Sequence, residues 1–493
     1  MMRRAAMPLD RDGTPASALL WFGLATLLCL SVLILNGRPL FYFDTAGYIE
    51  QGEAILHRLA PAAGDAAPGA VAGDATAAAD DKTVDGSRSI FYSLVVGLLS
   101  SVGALEVMVL LHAAAVIGTL ALAYGAAMRR AAAPFSLAAL VALTALACLP
   151  SAMPFFVAYL MPDIFAPVLI LTIATVVAFG RDMTFWQYLV ALGLGAVAIV
   201  SHLSHFAIGA AMLPAALLVA LVLRRGTWWR AGLFVLALLA VAMAQQATIR
   251  AVASKVADKE VVIRPFMTAR LIQDGPGYDY LADRCPDATY PTCALFAELQ
   301  LSGDPMRLTA SHILFKQTRD LGSFMFLPAD QQIRVARDQA GFLADVALSR
   351  PVATAMAFLR NTLLQSRMFS VDMTFATDSV IAQHQGLDAL LTGEFRDGWI
   401  TSGSEDWLGG LTRVQGVYYA LCLVMVLALL AQPAGLPPEV RAFAVVLLLG
   451  ILANAFVCGG ISQPASRYGA RMIWLLPVAM AFVVLFRTAG RVR

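Results

Sequence analysis

The sequence predicts an all-α polytopic membrane protein with about ten transmembrane helices. Two observations predict this fold class. Apolar stretches long enough to cross a bilayer recur along the chain, and charged residues make up only 14% of it against 59% hydrophobic residues. A soluble domain carries roughly 25% charged residues. Because every backbone polar group in hydrocarbon needs an internal partner, the apolar segments are expected to be helices.

Ten apolar segments are predicted to span the bilayer, and their boundaries follow the hydropathy of the sequence. In chain order they cover residues 18–35, 104–128, 134–149, 162–180, 186–200, 206–223, 231–249, 415–431, 441–457 and 472–486. The first segment is expected to be a retained anchor and not a cleaved signal peptide, because no small-residue cleavage site follows it and further spans do.

The basic residues predict how these spans are oriented. They cluster on one side of the predicted bundle, at Arg3, Arg4, Arg11, Arg129, Arg130, Arg181, Arg224, Arg225, Arg230, Arg441, Arg487, Arg491 and Arg493. By the positive-inside rule this side is cytoplasmic. We therefore expect a multi-pass protein of a bacterial inner membrane, with both termini in the cytoplasm and the opposite side facing the periplasm.

This topology divides the chain into four parts. Residues 1–17 form a cytoplasmic N-terminus, 18–250 hold spans one to seven, 251–413 form a mainly helical periplasmic domain, and 414–493 hold spans eight to ten. A long periplasmic loop covers 36–103, within which 60–86 is rich in Ala, Gly, Pro and Asp and is predicted to be disordered. The domain at 251–413 contains no phosphate loop, nucleophile elbow or HExxH zinc motif.

Two of the six cysteines lie in a polar, turn-rich setting. Cys285 and Cys293 bracket two prolines in the stretch RCPDATYPTC. An oxidising periplasm would let them form a disulfide, which is the pairing we predict. Two unpaired thiols are the alternative, since pairing cannot be deduced from sequence alone. A zinc site would need further Cys or His ligands nearby.

Four short stretches carry a resemblance to a known family. They are FYFDTAGYI after the first span, SRSIFYSLVVGLL before the second, YLMPDIFAP at the fourth and SRYGARMIWLLP at the last. Together, in this order, they resemble the polytopic glycosyltransferases of the GT-C fold, which include protein O-mannosyltransferases and the aminoarabinose transferase of lipid A. The resemblance is good over the first six spans and poor over the periplasmic segment.

The resemblance implies roles for several residues. In this family an early acidic residue of the first external loop is the catalytic base, and an Arg-x-x-x-Tyr stretch follows it. Asp44 and the pair Arg88 and Tyr92 occupy those places, and Tyr48 is expected to contact substrate. Many relatives carry adjacent acidic residues where this chain has Asp44 and Thr45. This departure argues against a metal-assisted mechanism, so we expect no cofactor and name no metal ligands; a divalent metal is the alternative that the sequence does not support.

Chemical arguments that do not depend on the resemblance also apply to the two acidic candidates, Asp44 and Asp163. Glycosyl transfer from a lipid-linked sugar needs a base that takes a proton from the acceptor hydroxyl, and a carboxylate such as Asp44 can do this. Alternatively, Asp44 caps the helix that follows it. Asp163 is either a similar cap, beside Pro162, or a second acidic residue of the site.

The basic candidates suit recognition of substrate and phosphate. His202 and His205 are expected to contact substrate, although a water-facing polar turn would also explain them, and two ligands make no metal site alone. Arg467 and Arg471 lie four residues apart on the outer side. With Arg88 they are predicted to bind the donor phosphate, because Arg suits bidentate phosphate recognition. An interfacial pair that snorkels to headgroups is the alternative.

The predicted function is transfer of a sugar from a polyprenyl-phosphate-linked donor to a periplasmic envelope acceptor, with inversion at the anomeric carbon. The expected partners are the lipid-linked donor, the periplasmic acceptor and membrane lipids. The net charge of +2 gives no reason to expect nucleic acid. Two alternatives remain open: a transporter or flippase of lipid-linked glycans, and a non-catalytic scaffold for envelope assembly. Both should tolerate Asp44→Asn, whereas an inverting transferase should not.

Overall fold

The structure is a computed structural model. It describes residues 15–42, 44–59, 83–223, 228–256, 259–285, 290–301, 308–315, 322–371, 398–402, 406–432 and 435–490. These residues are almost entirely helical, and among them the only sheet has two short strands. The predicted fold class, an all-α polytopic membrane protein, is thereby confirmed.

The N-terminal region forms four helices and one strand. They are α1 (Pro15–Cys29), α2 (Ser31–Asn36), α3 (Thr45–Leu59), β1 (Thr83–Asp85) and α4 (Ile90–Ser101). The first predicted span, 18–35, is therefore interrupted at Leu30, where the backbone leaves the helical region. Helices α3 and α4 approach closely at Gly52 and Gly97, because a Cβ at either glycine would collide with the backbone of the other helix.

The predicted disordered insertion, 60–86, needs a correction at its end. Residues 60–82 lie outside the described residues, but Thr83–Asp85 form strand β1. This strand pairs in parallel with β2 (Glu260–Val262), and Gly86 N donates to Val262 O at 2.8 Å. The end of the loop is thus tied to the segment that follows the seventh predicted span.

The first part of the bundle contains seven helices. They are α5 (Glu106–Ala131), α6 (Leu137–Cys148), α7 (Met153–Ala158), α8 (Phe165–Phe179), α9 (Phe185–Val200), α10 (Leu203–Leu223) and α11 (Trp228–Val256). A short 3-10 helix, Pro162–Ile164, leads directly into α8. Every residue of α8 is buried and its sequence is apolar on all sides, so it forms the centre of the bundle.

The segment between the seventh and eighth predicted spans is helical, as expected. It contains α12 (Phe266–Asp274), α13 (Pro276–Arg284), α14 (Cys293–Leu299), α15 (Ala310–Phe315), α16 (Ala329–Ser349), α17 (Pro351–Gln365) and α18 (Trp399–Ser402). Leu271, Leu295 and Phe342 belong to a core of its own. Cys285 and Cys293 are joined by a disulfide, with their Cα atoms 5.2 Å apart.

The C-terminal part returns to the bundle. It contains α19 (Asp406–Ala431), α20 (Pro438–Asn454), a π-helix (Ala455–Ser462), α21 (Ser466–Ile473) and α22 (Leu475–Gly490). The π-helix continues α20 and the chain then breaks before α21. Such a break exposes backbone groups at a helix end, and functional sites often use π-helical turns.

Seven of the described helical segments are long and apolar enough to cross a membrane. They are Glu106–Ala131, Pro162–Phe179, Leu203–Leu223, Trp228–Lys255, Trp407–Ala431, Pro438–Ser462 and Ser466–Arg487. These match seven of the ten predicted spans. The other three, 18–35, 134–149 and 186–200, coincide with apolar helices of 10–17 residues.

The two ends of the bundle carry different groups. At the end where α5 finishes, Arg130 pairs with Glu439 at 2.9 Å, and Arg129 donates to the carbonyl of Asp182. At the other end of the bundle, α8 begins two residues after Asp163. There the charged residues that the sequence singled out come together.

Candidate functional site

Two carboxylates and two guanidinium groups meet at the end of the bundle where α8 begins. We call Asp44, Asp163, Arg467 and Arg471 the charge cluster. Asp44 directly precedes α3, Asp163 lies in the 3-10 helix before α8, and both arginines lie one turn apart on α21. Their equal numbers of opposite charges balance within a largely buried site.

Arg467 joins the two carboxylates. Its Nε and Nη2 donate to the two oxygens of Asp163, at 2.9 and 2.8 Å. Its Nη1 donates to Oδ2 of Asp44 at 2.8 Å. The guanidinium also lies over the ring of Tyr42, 4.5 Å from its centroid. Charge-assisted bidentate bonds are strong and directional, so Arg467 fixes the position of Asp44 relative to the bundle.

Arg471 is held entirely inside the protein. Its Nη1 donates to Asp163 Oδ1 at 3.0 Å, and its Nη2 donates to Asn454 Oδ1 at 2.9 Å and to Cys458 Sγ at 3.1 Å. Its side chain has no exposed surface. Arg471 therefore neutralises Asp163 and, as placed here, offers nothing to a phosphate, which differs from its predicted role.

Asp163 is a structural anion and not a helix cap. Its oxygens accept three hydrogen bonds from the two arginines, and its side chain is 1% exposed. The start of its 3-10 helix has no side-chain cap. The predicted cap is not found either at α8, which begins after Ile164 without a side-chain cap.

Asp44 differs from the rest of the cluster in its access to solvent. Its side chain is 40% exposed, against 7% for Arg467. Burial acts to raise the pKa of Asp44, but Arg467 and Arg88 outweigh it and hold this pKa below its usual range. Asp44 is therefore an ionised, partly accessible carboxylate at neutral pH.

Arg88 lies close enough to Asp44 to lower its pKa, and these two residues precede helices α4 and α3, respectively. Its guanidinium covers Gly47, where any Cβ would collide with it. Its neighbours in sequence are anchored: Ser87 Oγ accepts from Arg264 N at 3.3 Å, and Ser89 Oγ donates to Val200 O at 2.7 Å. The β1–β2 pairing and these bonds position Arg88 from both sides.

A small cleft of about 10 Å³, which has room for roughly one water molecule, lies next to Arg88. Its polar lining comes from Arg88, His202, Gln245 and Gln246, and its apolar lining includes Ile199 and Phe206. The cleft thus places the Arg88 guanidinium among both polar and apolar side chains. Sequence reasoning missed Gln245 and Gln246, although polar residues inside an apolar span are a recognised signal.

The two predicted histidines are packed into the protein and do not form a water-facing turn. His202 Nδ1 accepts from the backbone N–H of Ser204 at 3.0 Å, which leaves the proton of the neutral ring on Nε2. Burial lowers the pKa of His202 to about 4, so the ring is neutral at pH 7. His205 is fully buried, and its Nδ1 donates to Ala198 O at 2.7 Å. Of these two histidines, only His202 lines the cleft.

The two predicted tyrosines lie behind Asp44 in the core. Tyr48 and Tyr92 are each 1% exposed and meet edge to face, with ring centroids 5.2 Å apart. Tyr92 Oη is 3.4 Å from His112 Nε2. As placed here both rings are buried, and their contact with substrate stays a prediction.

Asn454 and Tyr468 belong to the site but were not predicted. Asn454 accepts from Arg471 through Oδ1 and donates through Nδ2 to Tyr468 O at 2.8 Å. The Tyr468 ring lies beside both arginines, 5.5 Å from Arg467 Cζ and 5.0 Å from Arg471 Cζ. A lone Asn inside an apolar span could have signalled the first of these residues.

A metal-binding group is not apparent in the described part of the chain. No set of three or more His, Cys, Asp or Glu side chains there could hold a metal ion. The described side chains of the site offer an ionised carboxylate, neighbouring cations and a neutral imidazole N–H.

Two solved structures are similar to this chain. The structure of ArnT from Cupriavidus metallidurans in the apo state matches 97% of this chain and 78% of its own, at 14% identity and a TM-score of 0.33. The structure of the same protein bound to undecaprenyl phosphate matches 97% and 79%, at 15% identity and a TM-score of 0.32. ArnT is an aminoarabinose transferase of the GT-C type, the family that the sequence resembles.

No protein-family model and no curated protein matches the chain. A TM-score near 0.33 does not establish a shared arrangement of helices. The function proposed below therefore rests on the residues of the site.

Proposed function

We propose that this protein is a membrane glycosyltransferase of the GT-C type, which transfers a sugar from a polyprenyl-phosphate-linked donor to a periplasmic acceptor. The observation that carries the proposal is the contrast within the charge cluster. Asp163, Arg467 and Arg471 are buried and fix one another, whereas Asp44 is ionised, accessible and held in place by Arg467. A preorganised, reachable carboxylate is what a general base requires.

Asp44 acts as the base in a single displacement. It takes the proton from the acceptor hydroxyl while the acceptor oxygen forms a bond to the anomeric carbon. On the opposite face of the sugar, the bond between that carbon and the phosphate oxygen breaks, and the polyprenyl phosphate leaves with the electron pair. One displacement inverts the anomeric centre.

Arg88 is the proposed phosphate contact. It lies at the cleft and close to Asp44, and its positive charge would stabilise the negative charge that develops on the leaving phosphate. His202 lines the same cleft, and its Nε2–H can donate a second hydrogen bond. Ile199 and Phe206 also line this small cleft, so the polyprenyl chain would have to lie outside it.

Arg467 and Arg471 take a positioning role in this proposal. Arg467 spends three of its N–H groups on Asp44 and Asp163. Arg471 compensates the negative charge of Asp163 inside the protein. Together they hold Asp44 at a fixed point, so that the geometry of the base depends on residues that never contact substrate.

The proposal includes the topology expected from the basic residues. The N-terminus and C-terminus lie in the cytoplasm, and the segments 36–103 and 251–413 face the periplasm with the site. Reporter fusions after residue 225 and after residue 303 should then report opposite sides of the membrane. The same side for both fusions would overturn this topology.

Mass spectrometry of the cell envelope tests the function. Cells that lack the protein should lose a sugar from one envelope glycan, lipid or protein, and should accumulate the lipid-linked donor. Wild-type protein should restore the product, and Asp44→Asn should not. Asp330→Asn, which changes an exposed carboxylate of α16, is the matched control and should restore it. Restoration by Asp44→Asn would favour a flippase or a scaffold.

A further inference from the structure

Helix α17 buries its polar face and exposes its apolar face, which is the reverse of what a helix in water does. Its buried residues are Thr354, Ala357, Asn361 and Gln365, which are polar or small. A surface helix of a soluble domain buries its apolar stripe and exposes its polar face. Helices in membranes commonly do the opposite, because small and polar residues pack between helices there.

The outward face of α17 is a continuous apolar stripe. Val352, Met356, Leu359, Leu363 and Leu364 recur at helical spacing and are 50–75% exposed. Exposed apolar patches of this kind mark contacts with proteins or membranes. The single charged residue of α17, Arg360, lies beside the stripe with its side chain 69% exposed, and its guanidinium is 3.4 Å from Asp274 of α12. A long Arg side chain at this position can extend its charged end to the headgroup region while its stem covers apolar surface.

The stripe continues onto a helix that crosses the membrane. The buried face of α17 packs on the π-helix at the outer end of the span Pro438–Ser462, where Gly459 and Gly460 allow close approach. Phe358 meets Phe456 edge to face, with centroids 6.4 Å apart. Phe456 and Leu452 are themselves exposed apolar residues of that span. The exposed surface of α17 therefore joins a surface that faces lipid.

The chain turns sharply where α17 begins. Helices α16 and α17 meet at an angle of 115° and together have the length and hydropathy of a broken span. We infer that α17 is not part of the water-exposed domain and lies in the outer leaflet, with the acyl chains of phospholipids covering its stripe. This inference does not depend on the reaction proposed above.

Helix α17 also touches the site. Gln365 Nε2 donates to Ala465 O and Gln365 Oε1 accepts from Ala465 N, both at 2.9 Å. Ala465 lies two residues before Arg467. The lipid-facing helix thus holds the segment that carries the arginine contact to Asp44.

Spin-label accessibility measures which solvent covers the stripe. Single cysteines replace Val352, Leu359 and Leu363 in the full-length protein, and Ala340→Cys on the exposed side of α16 is the matched control. The unsubstituted protein gives the background, since its free cysteines in the described regions are buried. Each labelled protein is reconstituted in phosphatidylcholine vesicles and saturated with oxygen or with a water-soluble nickel chelate.

Labels on the stripe should favour oxygen over the nickel chelate severalfold, and the label at position 340 should show the reverse. A nickel response on the stripe equal to that at position 340 would place α17 in water and overturn the inference. Dipolar broadening without a gain in oxygen access would place a second copy of the chain on the stripe, which would also overturn it. Three separate positions keep the test decisive if one label disturbs folding.

Discussion

Asp163→Asn should destabilise the fold more than Asp44→Asn, which changes the other carboxylate of the charge cluster. Asp163 accepts three hydrogen bonds from Arg467 and Arg471, and its side chain is 1% exposed. The amide removes the negative charge and presents N–H groups where an oxygen was. Two buried guanidinium groups are then left with the single charge of Asp44.

The expected magnitude follows from the burial of the partners. Removing one partner of a buried ion pair costs about 3–5 kcal/mol in the free energy of unfolding. Asp44→Asn is the matched comparison. Its side chain is 40% exposed, and an amide oxygen can still accept from Arg467, so a cost of about 1 kcal/mol is expected.

Unfolding in detergent micelles, followed by denaturant titration, measures both variants. Asp163→Asn with Arg471→Met removes one charge of each sign, and should recover part of the stability that Asp163→Asn loses. If Asp163→Asn lowered the free energy of unfolding no more than Asp44→Asn, the buried cluster would not have the structural role described here.

Three further outcomes concern the cleft and the segment 251–413. Arg88→Gln should raise KM for the lipid-linked donor and slow transfer. Arg334→Gln, on an exposed part of α16, is the control and should change neither quantity. Equal effects of the two substitutions would show that Arg88 does not bind the donor. The pKa of His202 is about 4 in the folded protein and about 6.5 in the unfolded chain. As the pH is lowered from about 6.5 to about 4, the unfolded chain takes up a proton that the folded protein does not, so the free energy of unfolding decreases over this range. His202→Asn should remove that part of the fall, and unchanged pH profiles of unfolding would contradict it. Thiol labelling of denatured, unreduced protein should leave Cys285 and Cys293 unmodified; labelling of both would refute the disulfide.

The transmembrane helices were predictable because the bilayer imposes their length and composition. Seven predicted spans coincide with helices of sufficient length. The interruption of the first span at Leu30 was not predictable, since neither Pro nor Gly marks it. Helix α17 was expected to be part of the periplasmic domain 251–413, and the inward direction of its Thr, Asn and Gln side chains was not foreseen. Only the packing shows that these residues point inward.

The site residues were predictable one by one, but their partnerships were not. Asp44, Asp163 and Arg467 stood out because the stretches that carry them resemble the GT-C family, and because Arg467 lies on the side where basic residues are otherwise disfavoured. Their mutual bonds join residues 304 and 423 positions apart, a relation that no local pattern encodes. Arg471 was expected to bind phosphate because no local pattern in the sequence shows that the fold pairs it with Asp163 and Asn454.

The rate of sugar transfer by purified Asp44→Asn protein tests the central claim most directly. With the donor and acceptor identified by mass spectrometry, single-turnover rates are compared at saturating donor. A positioned general base contributes on the order of 10²- to 10⁴-fold, so Asp44→Asn should slow transfer by that factor while donor affinity and the unfolding transition change little. Transfer at the wild-type rate would contradict the assignment of Asp44 as the base.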